Sequence, residues 1–133
     1  MTTTIDIFQF TKPMSMRLET IQDEQVYADL QKEICKAMEE DCDADENSTH
    51  IYIEDLHGYY IWFNIDFDGY FRHDYESFDW GTEDFGEYIP TGECSISVVE
   101  CCKLIDDGEA TEDVDIDIAR IERDVDRYFT NYY

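Results

Sequence analysis

Thirty-four acidic side chains against nine basic ones give this 133-residue chain a formal charge of −25, so any compact fold it adopts must hold like charges apart. Self-repulsion on that scale works against the compact state, and highly charged chains poor in apolar residues stay unfolded. Here hydrophobic residues make up 43% and aromatic residues 15% of the chain, enough to build the core of one ordinary domain over residues 1–133. A folded but strained acidic domain is therefore expected.

Charge density alone does not imitate a nucleic acid. A folded monomer of 15.8 kDa exposes about 7,300 Å², or one net charge per ~290 Å². Duplex DNA, with one charge per ~1.7 Å of axis, is roughly three times denser. What the acids can do thus depends on where the fold gathers them. Anionic membranes and nucleic acids repel such a chain, so neither is expected as a direct partner, and the complementary surface is a basic protein. Five cysteines, Cys35, Cys42, Cys94, Cys101 and Cys102, are odd in number and lack framework spacing, which reads as reduced thiols. The start of the chain has no basic stretch leading into an apolar run, and no segment approaches the ~20 apolar residues of a membrane span. The expected location is the cytoplasm, that of a host cell if the chain is phage-encoded.

Hydrophobic spacing predicts an α+β fold. Ile5, Ile7, Phe8 and Phe10 suggest a short strand ending near Pro13. Tyr27, Leu30, Ile34 and Met38 recur at helical spacing, predicting a helix over about 20–40 with Thr20 as its cap. "HIYIEDL" and "YYIWFNIDF" read as antiparallel strands joined at His57-Gly58, with Tyr59, Ile61, Phe63, Ile65 and Phe67 toward the core. Asp68-Gly69 reads as a second hairpin turn, leading into a third strand over about 70–78. Glycines, a proline and acids predict a long exposed connection through "DWGTEDFGEYIPTGE". A further strand is expected from Cys94 to Ile105, with Cys94, Ile96 and Val98 facing inward. Val114, Ile118, Ile121, Val125 and Tyr128 predict a closing helix over about 114–129. The simplest packing is an antiparallel sheet of about four strands with both helices on one face.

The acids fall into three clusters. The first is Glu39, Glu40, Asp41, Asp43, Asp45 and Glu46; the second is Asp106, Asp107, Glu109, Glu112, Asp113, Asp115 and Asp117; the third is Asp79, Glu83, Asp84 and Glu87. One such stretch alone reads as a solvated loop, but three exceed what solubility requires. Part of the second is ordinary helix chemistry, since acids suit a helix N-terminus and Arg120, Arg123 and Arg127 suit the other end. Asp41, Asp43, Asp45 and Asn47 occupy alternate positions of a calcium-loop template, but Glu46 stands where glycine is needed and Tyr52 where a bidentate glutamate is needed. No Cys-x-x-Cys pair or paired histidines suggest zinc. Thiolate activation needs nearby positive charge, of which there is little. No catalytic residue, metal or cofactor is expected.

The aromatics Tyr60, Trp62, Tyr75, Trp80, Phe85, Tyr88, Tyr132 and Tyr133 fall off the core face or in connections. They read either as a second small core under the long connection or as anchors of an interface with an acidic rim. In small size, in the acid-rich stretches "EEDCDADE", "DDGEATEDVDID" and "DWGTEDFGE", and in these interleaved aromatics, the chain resembles the DNA-mimic proteins that phages and mobile elements use against host defence, including anti-restriction and anti-CRISPR inhibitors. The resemblance implies an inhibitor filling the basic nucleic-acid-binding groove of a nuclease or CRISPR effector. The alternatives are an immunity or antitoxin protein for a cationic nuclease toxin, and a divalent-cation binder. A homodimer would lengthen the charged track, though nothing in the sequence requires one.

Overall fold

The structure is a computed structural model that describes residues 18–44 and 47–132, with side chains to Asn131. The expected strand at Ile5 to Phe10, the acids Asp45 and Glu46, and the side chains of Tyr132 and Tyr133 lie outside it. In chain order the elements are α1 (Glu24–Glu40), β1 (Asn47–Leu56), β2 (Tyr59–Arg72), β3 (Tyr75–Phe78), β4 (Gly81–Asp84), β5 (Glu87–Ile105), β6 (Ala110–Asp113) and α2 (Ile118–Tyr132). A four-stranded antiparallel sheet in the order β1-β2-β5-β6 carries both helices on one face, and β3 with β4 forms a separate two-stranded hairpin. Among the described residues no helix is long and apolar enough to cross a membrane.

Strand alternation builds the core. Ile61, Phe63, Ile65 and Phe67 of β2 are buried as expected, and they meet Leu30, Ile34 and Met38 of α1 and Ile121, Val125 and Phe129 of α2 in one apolar layer. His57 and Gly58 make the β1–β2 turn, both at positive φ (54° and 91°), the backbone that a two-residue turn between twisted strands requires.

Several boundaries differ from the sequence expectation. Helix α1 starts at Glu24, capped by Asp23, whose side chain accepts the Gln25 amide at 3.0 Å. Thr20 instead forms a parallel bridge with Asp115. That bridge keeps residues before Asp117 extended, so α2 begins only at Ile118, and Val114 and Ile116 are buried from an extended chain. Arg120 therefore sits in the first turn of α2. Its guanidinium forks onto Glu24 at 2.6 and 3.0 Å and lies 4.1 Å above the Tyr27 ring. The Tyr27 hydroxyl donates to the Ile21 carbonyl and accepts from the Asp117 amide. This knot fixes both helix N-termini together.

Asp68-Gly69 is not a turn. β2 runs straight through it, shifting register between Phe67, opposite Cys94, and Gly69, opposite Pro90. The glycine is there for proximity: a β-carbon at Gly69 would lie 2.6 Å from Cys42 Sγ and 3.2 Å from Asn47 Nδ2. The predicted third strand over 70–78 is consequently split between the end of β2 and β3. The predicted long connection holds β4 and the first residues of β5, because Asp79 and Trp80 close a tight hairpin instead.

β5 carries a second irregularity. Trp62 pairs with Glu100 and Phe63 with Val98, leaving Val99 unpaired in a bulge. Ile96 is buried, but the bulge brings Val98 to the surface at 45% exposure, against the inward alternation expected. β6 pairs only with Cys102 to Ile105. Further back along that same edge of β5, the Ile96 amide is held at 2.9 Å by the Glu122 carboxylate of α2.

Gly69→Ala should destabilise the fold by about 1–3 kcal/mol, as overpacking does, and Cys42→Ala in the same chain should recover part of the loss by removing the clashing sulfur. A double-mutant cycle in urea unfolding measures both; equal losses with and without Cys42 would refute the packing argument.

Candidate functional site: an acidic end and an aromatic arm

Both helices run with their C-termini toward one end of the sheet. At that end Thr49 Oγ1 donates to Asp41 at the C-cap of α1, Cys42 lies against Gly69, and a β-carbon at Gly92 would meet Asp126 and Phe129 of α2. Beyond it, Gly69 to Arg72 of β2 pair with Glu87 to Pro90 of β5, and the β3–β4 hairpin continues outward. We refer to residues 70–90 as the arm. Every residue from Arg72 to Phe85 is exposed.

The described members of the first acidic cluster and the root of the arm that carries the third therefore share one end. Glu39 and Glu40 sit in the last turn of α1, followed by Asp41 and Asp43. Asp66, Asp68 and Glu93 line a groove at the root of the arm, and the arm itself carries Asp74, Glu76, Asp79, Glu83, Asp84 and Glu87. Each helix C-terminus adds roughly half a negative charge, and neither helix has a basic residue in its last turn.

The second cluster does not join them. Asp106, Asp107 and Glu109 lie in the turn after β5, near the His57-Gly58 turn, where the Leu104 amide donates to the Gly58 carbonyl. Glu112 and Asp113 follow on β6. The stretch of β2 between the two ends spans about 25 Å at ~3.3 Å per residue. Asp115 and Asp117 are structural: Asp115 bridges Thr20 and accepts the Ile116 amide, while Asp117 caps α2 by accepting the Arg120 amide at 3.1 Å. Asp117 therefore does not pair with the Arg120 guanidinium, whereas Asp124 does approach Arg127 at 3.9 Å.

Among the described residues no second core lies under the arm, and most of its aromatic side chains are exposed. Phe71, His73 and Tyr75 form a ladder on one side, with Tyr88 edge-on to Phe71 and His73 stacked on Tyr75. Phe78, Trp80 and Phe85 form the other side, with Phe78 and Trp80 stacked at 4.9 Å between centroids and Phe85 edge-on to Phe78. Trp80 is 71% exposed and Tyr75 64%. The period-two pattern Glu76, Phe78, Trp80 carried this signal in the sequence, but it is hidden in a segment that reads as turn and loop. Tyr60 and Trp62 instead gather with Tyr52 on the open face of the sheet, where the Tyr60 hydroxyl donates to Tyr52 and its pKa is pushed up to about 12 by that bond.

Asp84 braces the arm at its root. Its carboxylate accepts the Asp74 amide at 3.0 Å and the Gly86 amide at 2.9 Å, and its other oxygen meets His73 Nδ1 at 2.7 Å. The Asp74 amide, then His73, hold its pKa below the usual carboxylate value. Asp84 is thus fully engaged within the fold, unlike Glu76 and Glu83, which have no ion-pair partner among the described residues.

The described calcium-loop positions Asp41, Asp43 and Asn47 are also engaged internally. Asp41 binds Thr49, and the Asn47 side-chain oxygen accepts the Asp43 amide at 2.6 Å. Among the described residues no group of three or more His, Cys, Asp or Glu side chains is placed to hold a metal ion. All five cysteines are free thiols, and burial pushes Cys35, Cys94 and Cys101 up to about 12. No protein-family model, curated protein or solved structure matches the chain.

A carboxylate with a depressed pKa contributes order that is complete above its unfolded pKa and lost as pH falls through the lower folded value. The Asp74 and Gly86 amides should accordingly lose their protection below the ordinary aspartate range, near pH 4. Asp84→Ala should speed their hydrogen exchange by about tenfold at neutral pH while the core amides stay unchanged. Unchanged exchange at both positions would remove Asp84 as the brace.

Proposed function

We propose that this protein is an acidic inhibitor that acts in the cytoplasm, a host's where the chain is phage-encoded. It would occupy the nucleic-acid-binding surface of a basic protein, a nuclease or a CRISPR or restriction effector, by offering carboxylates where that surface holds phosphates. The observation that carries this reading is the position of Glu39, Glu40 and Asp41 at the C-terminal end of α1, at the end of the sheet from which the acidic arm extends. Acids there oppose the negative end of the helix dipole and crowd one another. Acids kept only for solubility have no reason to gather where the local field disfavours them. A cationic groove would complement the exposed Glu40 and Asp43 there, and the field of the acidic end steers its approach.

The same chemistry explains why the partner is a protein rather than a nucleic acid. Lysine and arginine side chains that hold phosphates can pair with these carboxylates instead, displacing cations gathered around the acidic end as they displace those condensed on DNA, so the two ligands exclude each other. The exposed aromatics add apolar contact that a phosphate backbone lacks.

Binding to immobilised cationic nucleic-acid-binding proteins should be displaced by duplex DNA and should weaken at least about tenfold between 50 and 200 mM salt. Binding indifferent to both would end the proposal. Glu40→Lys should act in opposite directions on the two properties. It should stabilise the fold by about 0.3–1 kcal/mol through the helix dipole and weaken capture of the cationic protein, as read by urea unfolding and surface plasmon resonance on the same sample.

A further inference from the structure

The arm has two dissimilar faces, and one combines features that the fold itself does not use. Register places Glu76 directly opposite Glu83, and Phe78 opposite Gly81. Strand alternation therefore puts Glu76, Phe78 and Glu83 on a single face, and the ring contacts add Trp80 and Phe85 to it. Like charges paired directly across two strands destabilise a hairpin. These two have no cation among the described residues. Because Gly81 has no side chain, the neighbouring Phe78 and Trp80 rings are left open to solvent on this face, with Trp80 71% exposed.

We infer that this face is a cradle for an arginine side chain of the partner protein, an inference that rests on the cationic partner proposed above. Charge complementarity selects the occupant. A guanidinium is planar, stacks on aromatic rings, is weakly hydrated and donates in a fork to carboxylates. The face presents what it requires: a stacked indole and phenyl pair for its flat surface, and two adjacent carboxylates for its N–H groups. A second copy of the chain would bring its own charge of −25 and no excess of cations. A lysine ammonium would satisfy the carboxylates but makes poorer use of the flat rings. The inserted arginine also resolves the Glu76–Glu83 repulsion, so the arm becomes more ordered when occupied.

The test follows the Trp80 indole N–H and the backbone amides of the intact protein by NMR during titration with acetyl-Gly-Arg-Gly-amide and with its neutral citrulline counterpart. The Trp80 signal should shift saturably with the arginine peptide, and the peptide's own side-chain methylene protons should move upfield from ring stacking. The citrulline peptide should bind about tenfold more weakly or worse. Glu76→Gln with Glu83→Gln should weaken the arginine peptide by a similar factor, about tenfold, without unfolding the hairpin, since it removes a repulsion. Trp80→Ala should abolish the upfield shift while the amide map of the four-stranded sheet stays in place. The cradle is overturned if Trp80 stays still, if citrulline serves as well as arginine, or if the shifts centre on Asp106 and Asp107. Should that happen while the protein still competes with duplex DNA for cationic proteins, the cradle falls and the inhibitor reading survives; uptake of the peptide without such competition gives the reverse.

Discussion

Everything in this molecule depends on an apolar layer strong enough to hold a heavily charged chain together. Phe63, Ile61 and Ile65 of β2 are completely buried against Leu30, Ile34 and Met38 of α1 and Val125 of α2. Each such side chain contributes about 1.5–3 kcal/mol when fully removed from water, and that sum must exceed both chain entropy and charge repulsion. Among the described residues few of the ion pairs join separate elements. The Arg120 fork onto Glu24 joins the two helix starts, and Asp29 holds His57 at 2.6 Å, tying α1 to the β1–β2 turn. Most carboxylates are simply kept outside the layer, and their arrangement follows from where the layer's edges lie.

What could be read from the sequence was what periodicity encodes. The inward face of β2, the His57-Gly58 turn and the apolar stripes of both helices were legible because each is written within a few residues. The failures came from partners distant in sequence. Asp68-Gly69 has the composition of a turn, yet β5 continues alongside it and turns the glycine into a point of close approach with Cys42. Thr20 has the composition of a cap, but its bridge to Asp115 draws it out of the helix and delays α2 as well. In each case a tertiary contact overrode a local preference.

The acidic clusters were legible as composition and not as geometry. The C-terminal end of α1 and the root of the arm lie together at Cys42 and Gly69, and the arm extends from there because β2 and β5 run past the body of the sheet, an outcome of register that no local pattern contains. The same extension lifts Phe78, Trp80 and Phe85 away from the core formed by the described residues, so they do not build a second small core there. A segment rich in glycine and acid proved to be an ordered hairpin because Asp84 gathers two backbone amides and a histidine at its base.

Glu122 has a further consequence at the border of the sheet. A strand border left open is a template on which another chain can add itself, and the exposed Val98 and Val99 beside it would reward the addition. With the Ile96 amide already held by a carboxylate from α2, an incoming strand finds one of its docking points occupied and a negative charge in its path. The fold thus supplies from α2 its own guard against β-strand addition at that border.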